Sequence, residues 1–453
     1  MAASRAEIAA VRFGYGFRPG EDGPANAGAL MASLAPGAAF DAIGGPSLDE
    51  RIAQFRRFET LRKANKNNAN RPKMEAVRKR IKARHQADIR ARTMASVISP
   101  HGFFERLAWF WSDHFSLSGK GLIGKVVAGR YEADAIRPYL AGPFRRLLRA
   151  AATHPAMLHY LDQDRAMGPA SAAGRRRGRG LNENLAREVI ELHTLGVGAA
   201  YDQDDVRQFA ELLTGIGVDR NSGLTTFRPG QAEPGAEQVL GESYGGGAAR
   251  LADIYAALDD LAAHPATARH IARKLATHFV ADEPSAALVS HMELAFKDSD
   301  GDLSMVYAAM LAHEESWARF GEKVRQPFDF TVAALRASGP QPDEIAALRD
   351  AKEGFPGLMR PLQRMGQAPM NPPGPQGWPE DAASWITPQG LAARIDWASR
   401  LGRAVAARRD PREFLSTALG GIAGRETRFA ATNAAERWEG IALVLASPEF
   451  NRR

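Results

Sequence analysis

The chain has no cysteine in 453 residues, which excludes disulfides, thiolate metal sites, Fe–S clusters and cysteine nucleophiles. Any bound metal would be held by histidine, carboxylate and amide groups. That donor set favours Zn, Fe, Mn, Mg or Ca over soft-ligand chemistry. No apolar run approaches the roughly 18–20 residues that a membrane helix needs, so no membrane span is expected. The opening residues, Met1-Ala-Ala-Ser-Arg5, lead into neither an apolar export segment nor a twin arginine, and the expected location is cytoplasmic. No P-loop, no dinucleotide fingerprint and no Gly-x-Ser-x-Gly elbow is read. Phosphoryl transfer from ATP, Rossmann redox chemistry and α/β-hydrolase catalysis are therefore disfavoured.

What is present fits a globular protein: 45% hydrophobic and 25% charged residues, enough to bury a large core. Apolar residues recur with a period near 3.6 and alternating β-branched runs are scarce. The expected fold is mainly α, a single large multi-helical domain over residues 1–453. Within it, residues 48–97 should form a basic helical arm and residues 223–241 a small β-hairpin around a Gly/Pro-rich turn. The net charge of +7 is unevenly spread, because Arg51 to Arg92 holds 15 Lys and Arg against 3 Asp and Glu. A second basic cluster runs from Arg175 to Arg179. Such stripes can engage an anionic polymer or an acidic partner; the plainer reading is a solvated helical hairpin. Only Phe55 and Phe58 interleave these charges, so stacking on single-stranded bases has little support.

Two segments concentrate the chemistry. In Leu107-Ala-Trp-Phe-Trp-Ser-Asp-His-Phe115, Trp111 and His114 share one helical face, with Asp113 as a flanking carboxylate. His114 is either a core histidine bonded to a backbone carbonyl, or a ligand or general acid/base. In Asn182 to Gly196, aliphatic residues at 185, 189, 192 and 195 define a buried stripe, and Glu188 lies about 60° from its middle on a regular helix. Asn184, Glu188 and Glu191 fall within about 60° of one another and could converge on one ion or substrate. His193 lies about 140° from Glu188, too far round to share its metal. Arg187 and Glu191 have the spacing of a surface ion pair.

Elsewhere the acidic residues read as caps. Asp202 and Asp205 suit a helix N-terminus, and Asp298 to Asp302 resembles a calcium loop but lacks the closing glutamate. His270 and Lys274, one turn apart on a polar helix face, read as solvated. The candidate site therefore comprises His114, Glu188, Glu191 and Arg187 as catalytic residues. Trp111, Asn184 and His193 line it, and Glu188, Glu191 and His114 are metal ligands if a divalent ion is used. Hydrolysis is the most economical chemistry for such a set. The alternative is a non-catalytic helical binding or assembly protein using its basic arm.

In order, Val11-Arg-Phe-Gly-Tyr-Gly-Phe-Arg-Pro-Gly20, Trp109 to Phe115, Asn182 to Val197, Tyr201 to Val206, His264 to Arg269, Lys323 to Phe328, Pro372 to Trp378 and Ala446 to Phe450 resemble a bacterial family catalogued as domain of unknown function 1800. The resemblance implies a mainly helical fold and carries no reaction with it. It also implies a sulfatase- or phosphatase-like exported partner, at odds with the cytoplasmic expectation. The family's His-Asp-x-Gly-x-Lys segment is replaced here by Ala232-Glu-Pro-Gly-Ala-Glu237, so a group available to relatives is missing.

Overall fold

The computed structural model describes residues 3–35, 43–177, 180–219, 221–340, 344 and 357–453, excluding the Arg177 side chain. The chain is mainly helical, and the described strands form two small antiparallel sheets. The basic arm is a pair of packed helices, Leu48–Lys63 and Arg71–Ile98, seated on Gly121–Tyr131. Its base is fastened by Arg51, whose guanidinium donates to both oxygens of buried Asp88 at 2.7 and 2.9 Å. A side chain at Gly129 would lie 2.0 Å from that carboxylate, so only glycine lets the helices close over it. Phe55 and Phe58 stack on each other and pack, half-buried, against the core. Part of the Arg175–Arg179 cluster lies outside the described residues; what is described continues the helix Ala172–Arg177.

The larger core surrounds Gly102–His114. Trp111 is fully buried and donates to the Tyr307 hydroxyl at 2.6 Å, which donates to the Leu140 carbonyl at 2.9 Å. Buried Glu105 on the same helix accepts from Arg92 at 3.1 Å and Arg137 at 2.6 Å, fixing the helix near its start. A second core gathers Phe330, Trp397, Leu401, Ile441 and Phe450. There Pro388–Val405 lies close against Arg437–Ala446 because a Cβ at Gly402 would sit 2.5 Å from the Trp438 carbonyl oxygen. Between the cores, Asp329 is paired with Arg106 at 2.6 Å and with Arg453 at 3.5 Å.

Three expectations are corrected. The arms of the expected 223–241 hairpin do not pair with each other. β2 (Thr225–Phe227) pairs with β1 (Ile216–Val218), and β3 (Ala236–Val239) with β4 (Glu242–Gly245). The two-residue Leu240-Gly241 turn, with φ of 51° and 84°, closes a tighter hairpin than the Gly/Pro-rich segment before it could. The string Gly241-Glu-Ser-Tyr-Gly245 does carry Gly-x-Ser-x-Gly spacing. It forms that turn and β4 rather than a strand-to-helix elbow, and Ser243 is exposed.

The third correction concerns the carboxylate segment, which is not one regular helix. It runs as an α-helix over Asn184–Glu188 and a π-helix over Val189–Thr194. The Leu195 N–H reaches back to Ile190 at 2.9 Å and the Thr194 hydroxyl to Val189 at 2.6 Å, both five residues away. The wider turn swings His193 and Thr194 to the buried side, each at most 1% exposed. Such π turns are rare and frequent at functional sites.

Candidate active-site cleft

Helix ends leave carbonyls without intrahelical partners. At the end of the π turn, the Leu192 carbonyl accepts from His270 Nε2 and the His193 carbonyl from His114 Nε2, each at 3.1 Å. A carbonyl only accepts, so both Nε2 atoms carry the proton and each Nδ1 keeps its lone pair. Burial, then neighbouring Lys274, drives His114 well below the usual imidazole range. The same two causes take His270 down to about 4 and, with His270 added, His193 down to about 3. All three are neutral at pH 7.

These residues border an open cleft of about 970 Å³. Its walls are the end of Gly102–His114, the end of the π turn, one face of Pro265–Phe279 and the loop 373–380. Asp113 joins the first wall to the last. Its carboxylate oxygens accept from the Trp378 N–H at 3.0 and 3.2 Å. A Cβ at Gly377, whose φ is +81°, would lie 2.8 Å from the carboxylate. Burial pushes Asp113 up to about 7; Lys274 and the Trp378 N–H pull against this, and Glu380 adds to it.

Across the cleft, Glu380 accepts from His278 Nδ1 at 2.5 Å and pairs with Lys323 at 3.2 Å. Burial alone would raise this carboxyl, but His278 and Lys323 hold it down to about 2. Arg106 donates to His278 Nε2 at 3.1 Å, which sets the tautomer. Glu380 is thus a committed carboxylate, and Asp113 a carboxyl that titrates near neutrality.

Of the residues anticipated for the site, His114 and Glu191 border the cleft. Glu191 is held by Arg187 at 3.0 Å, which also binds Glu183 at 3.1 Å and Gln203 at 2.8 Å. His193 lies behind the wall, its ring 6.0 Å from that of His114. Trp111, Asn184, Arg187 and Glu188 do not line the cleft: Trp111 is sealed in the core and Asn184 is exposed. Glu188 is half-buried without an ion pair among the described residues, its carboxyl raised by burial and then by Glu191. Among the described residues, no three His, Asp or Glu side chains gather closely enough to hold a metal ion. The expected metal trio of Glu188, Glu191 and His114 is therefore not assembled.

His270 and Lys274, expected on a solvated face, are half-buried cleft residues. Their helix packs on the π turn, whose free carbonyls give a polar face something to bind. His264 before it is the N-cap, accepting from Ala266 N–H at 3.1 Å.

The histidines make stability depend on pH. An unfolded imidazole titrates near about 6.5, whereas the fold holds His193 near 3, His270 near 4 and, by burial and then Lys125, His85 near 4. Between those values the unfolded chain binds more protons. The stabilisation is complete above pH ~6.5 and is lost as pH falls toward the folded values, at about 1.4 kcal/mol per pH unit per histidine. Asp113 and Glu237, each raised to about 7, work in the opposite sense because the folded state holds their protons over the same range. Urea midpoints should therefore fall only modestly between pH 6 and 4.5, and the fall should shrink further in His193→Gln; an equal fall in that variant would contradict the burial of His193.

A family model described as "Protein of unknown function (DUF1800)" matches residues 8–452. No curated protein and no solved structure matches the chain. With nearly its whole length covered, the chain belongs to this family.

Proposed function

We propose that this member of the DUF1800 family is an enzyme, a hydrolase whose carboxylate and histidine groups act in the cleft between the Gly102–His114 helix and the loop 373–380. The observation that carries the reading is Asp113, a cleft carboxyl pushed up to about 7 by burial. A base matched to neutral pH is the most effective one, because it is present in the right form and still drives proton transfer. The neighbouring imidazoles are neutral but weak bases, with His270 held near 4. Asp113 therefore takes the proton from water, and the Nδ1 lone pair of His270 is left to accept from substrate or water, while that of His114 is buried behind the wall. The cleft, about 970 Å³, falls within the usual range for a small-molecule site.

A divalent ion has no three-residue protein site among the described residues, so no step is assigned to one. The basic arm supports the alternative of a binding protein engaging an acidic polymer. Its helices expose Arg56, Arg57, Lys63, Lys73, Lys79 and Lys82 to solvent.

The test is a panel of chromogenic carboxylic, phosphate and sulfate esters, amides and glycosides, run on the wild type and on Asp113→Asn. Turnover by the wild type that the variant loses supports the reading. Turnover that is equal in both removes Asp113 from the chemistry.

A further inference from the structure

The acid–base reading leaves one cleft group unused. Lys274 is half-buried on the cleft face of Pro265–Phe279, and among the described residues its ammonium makes no hydrogen bond or ion pair. Asp113 and Glu380 favour its charged form from a distance, but neither forms an ion pair with it among the described residues. Glu191 is committed to Arg187, and Glu380 to His278 and Lys323. Asp113 shares the Trp378 N–H between its two oxygens and keeps lone pairs for a further donor. One residue earlier, at the mouth, Arg273 is exposed and likewise without an ion pair among the described residues. A buried charge without a partner is costly, and a ligand can supply the missing one. Much of the remaining wall is apolar: Phe110, Leu192, Leu195, Trp378 and, at the rim, Val197, which is 76% exposed. Thr277, Gln376 and Arg269, the last paired with Glu293 at 3.9 Å, complete it.

We propose that the cleft binds an oxyanion, a carboxylate, sulfate or phosphate group on a small molecule with an apolar body, with Lys274 as its buried charge partner and Arg273 at the mouth. This names the substrate class for the hydrolytic reading and rests on it only for the word substrate. Arg273 and Lys274 supply the charge, the apolar walls take the body, and Asp113 stands next to the bound group.

Binding next to Asp113 has a second consequence. The titratable and charged groups around that carboxyl are His114 on its own helix, Glu191 and His193 on the π turn, and His270, Arg273 and Lys274 on the facing helix, the three histidines being neutral. Glu380 faces it from the loop. Across the small cavity behind it lie Asp88, Arg92 and Glu132. An added anion raises the affinity of Asp113 and Lys274 for protons, and both effects have the same sign. Binding near neutral pH therefore takes up protons.

The experiment is calorimetric titration of the full chain at pH 7.5 with sodium sulfate, sodium phosphate and sodium hexanoate, in two buffers of different ionisation enthalpy. The expected result is saturable one-site binding by at least one anion, with an enthalpy that changes with buffer in the sense of proton uptake. Lys274→Met should weaken it at least tenfold, Lys274→Arg should retain it, and Lys79→Met on the basic arm should leave it unchanged. Hexanoate alone assigns a carboxylate; sulfate or phosphate alone assigns a tetrahedral group. Absence of saturable binding by all three, or binding unchanged in a folded Lys274→Met, overturns the proposal. Anion binding without any ester turnover sinks the hydrolase and leaves this site standing. Turnover of neutral esters without anion binding does the reverse.

Discussion

Asp329→Ala is expected to lower the unfolding free energy by about 3–5 kcal/mol, the usual cost of removing one partner from a buried ion pair. Asp329 is 1% exposed and faces Arg106 at 2.6 Å and Arg453 at 3.5 Å, both of them buried. Without it two guanidiniums lie in an apolar interior with no carboxylate between them. Arg106 also donates to His278, so the damage should spread toward Glu380 and the cleft. Asp329→Asn preserves the volume and removes only the charge, and it serves if the alanine variant does not fold. Urea unfolding of both variants measures the loss. A change below about 1 kcal/mol, the level of an exposed surface pair, would mean that the network does not bridge the two cores.

Asp113→Asn should reduce the turnover of any ester the wild type hydrolyses by about 10²–10⁴-fold, the range for losing a general base. The fold should survive, because the asparagine oxygen can still accept from the Trp378 N–H that Asp113 now binds at 3.0 Å. The pH profile gives the sharper signature. A carboxyl titrating at about 7 and acting as a base makes kcat/KM rise through pH 7 to a plateau. An anionic substrate that raises this value moves the kcat limb to higher pH than the kcat/KM limb. Asp113→Asn abolishes both limbs. A variant that keeps the rising limb would place the base on another residue.

Much of the architecture was legible because its signals are local. Apolar spacing gave the basic arm as two helices. Asp202 caps Gln203–Leu212 as its position suggested, and Asp302 caps Leu303–Ala312 in place of any calcium loop. The site was only partly legible. His114 and Asp113 stood out as polar residues at the end of an aromatic helix, and both border the cleft. Glu188 drew attention through helical-wheel geometry, which holds only while the helix is regular. The π turn beginning at Val189 breaks that assumption. His270 and Lys274 gave no signal, since a polar face looks the same in sequence whether it meets water or another helix's carbonyls. Glu380 was equally silent, because its partners His278 and Lys323 lie 102 and 57 residues away.

The sequence by itself determined the helical class, the absence of thiol chemistry, the concentration of positive charge in one arm and the family, since each follows from composition, period or ordered motifs. The tertiary structure decided which polar groups share a cleft and how they ionise. Burial and the charges of distant segments set whether a carboxyl such as Asp113 titrates near neutrality or, as with Glu380, stays ionised. Those conditions exist only once the chain has folded.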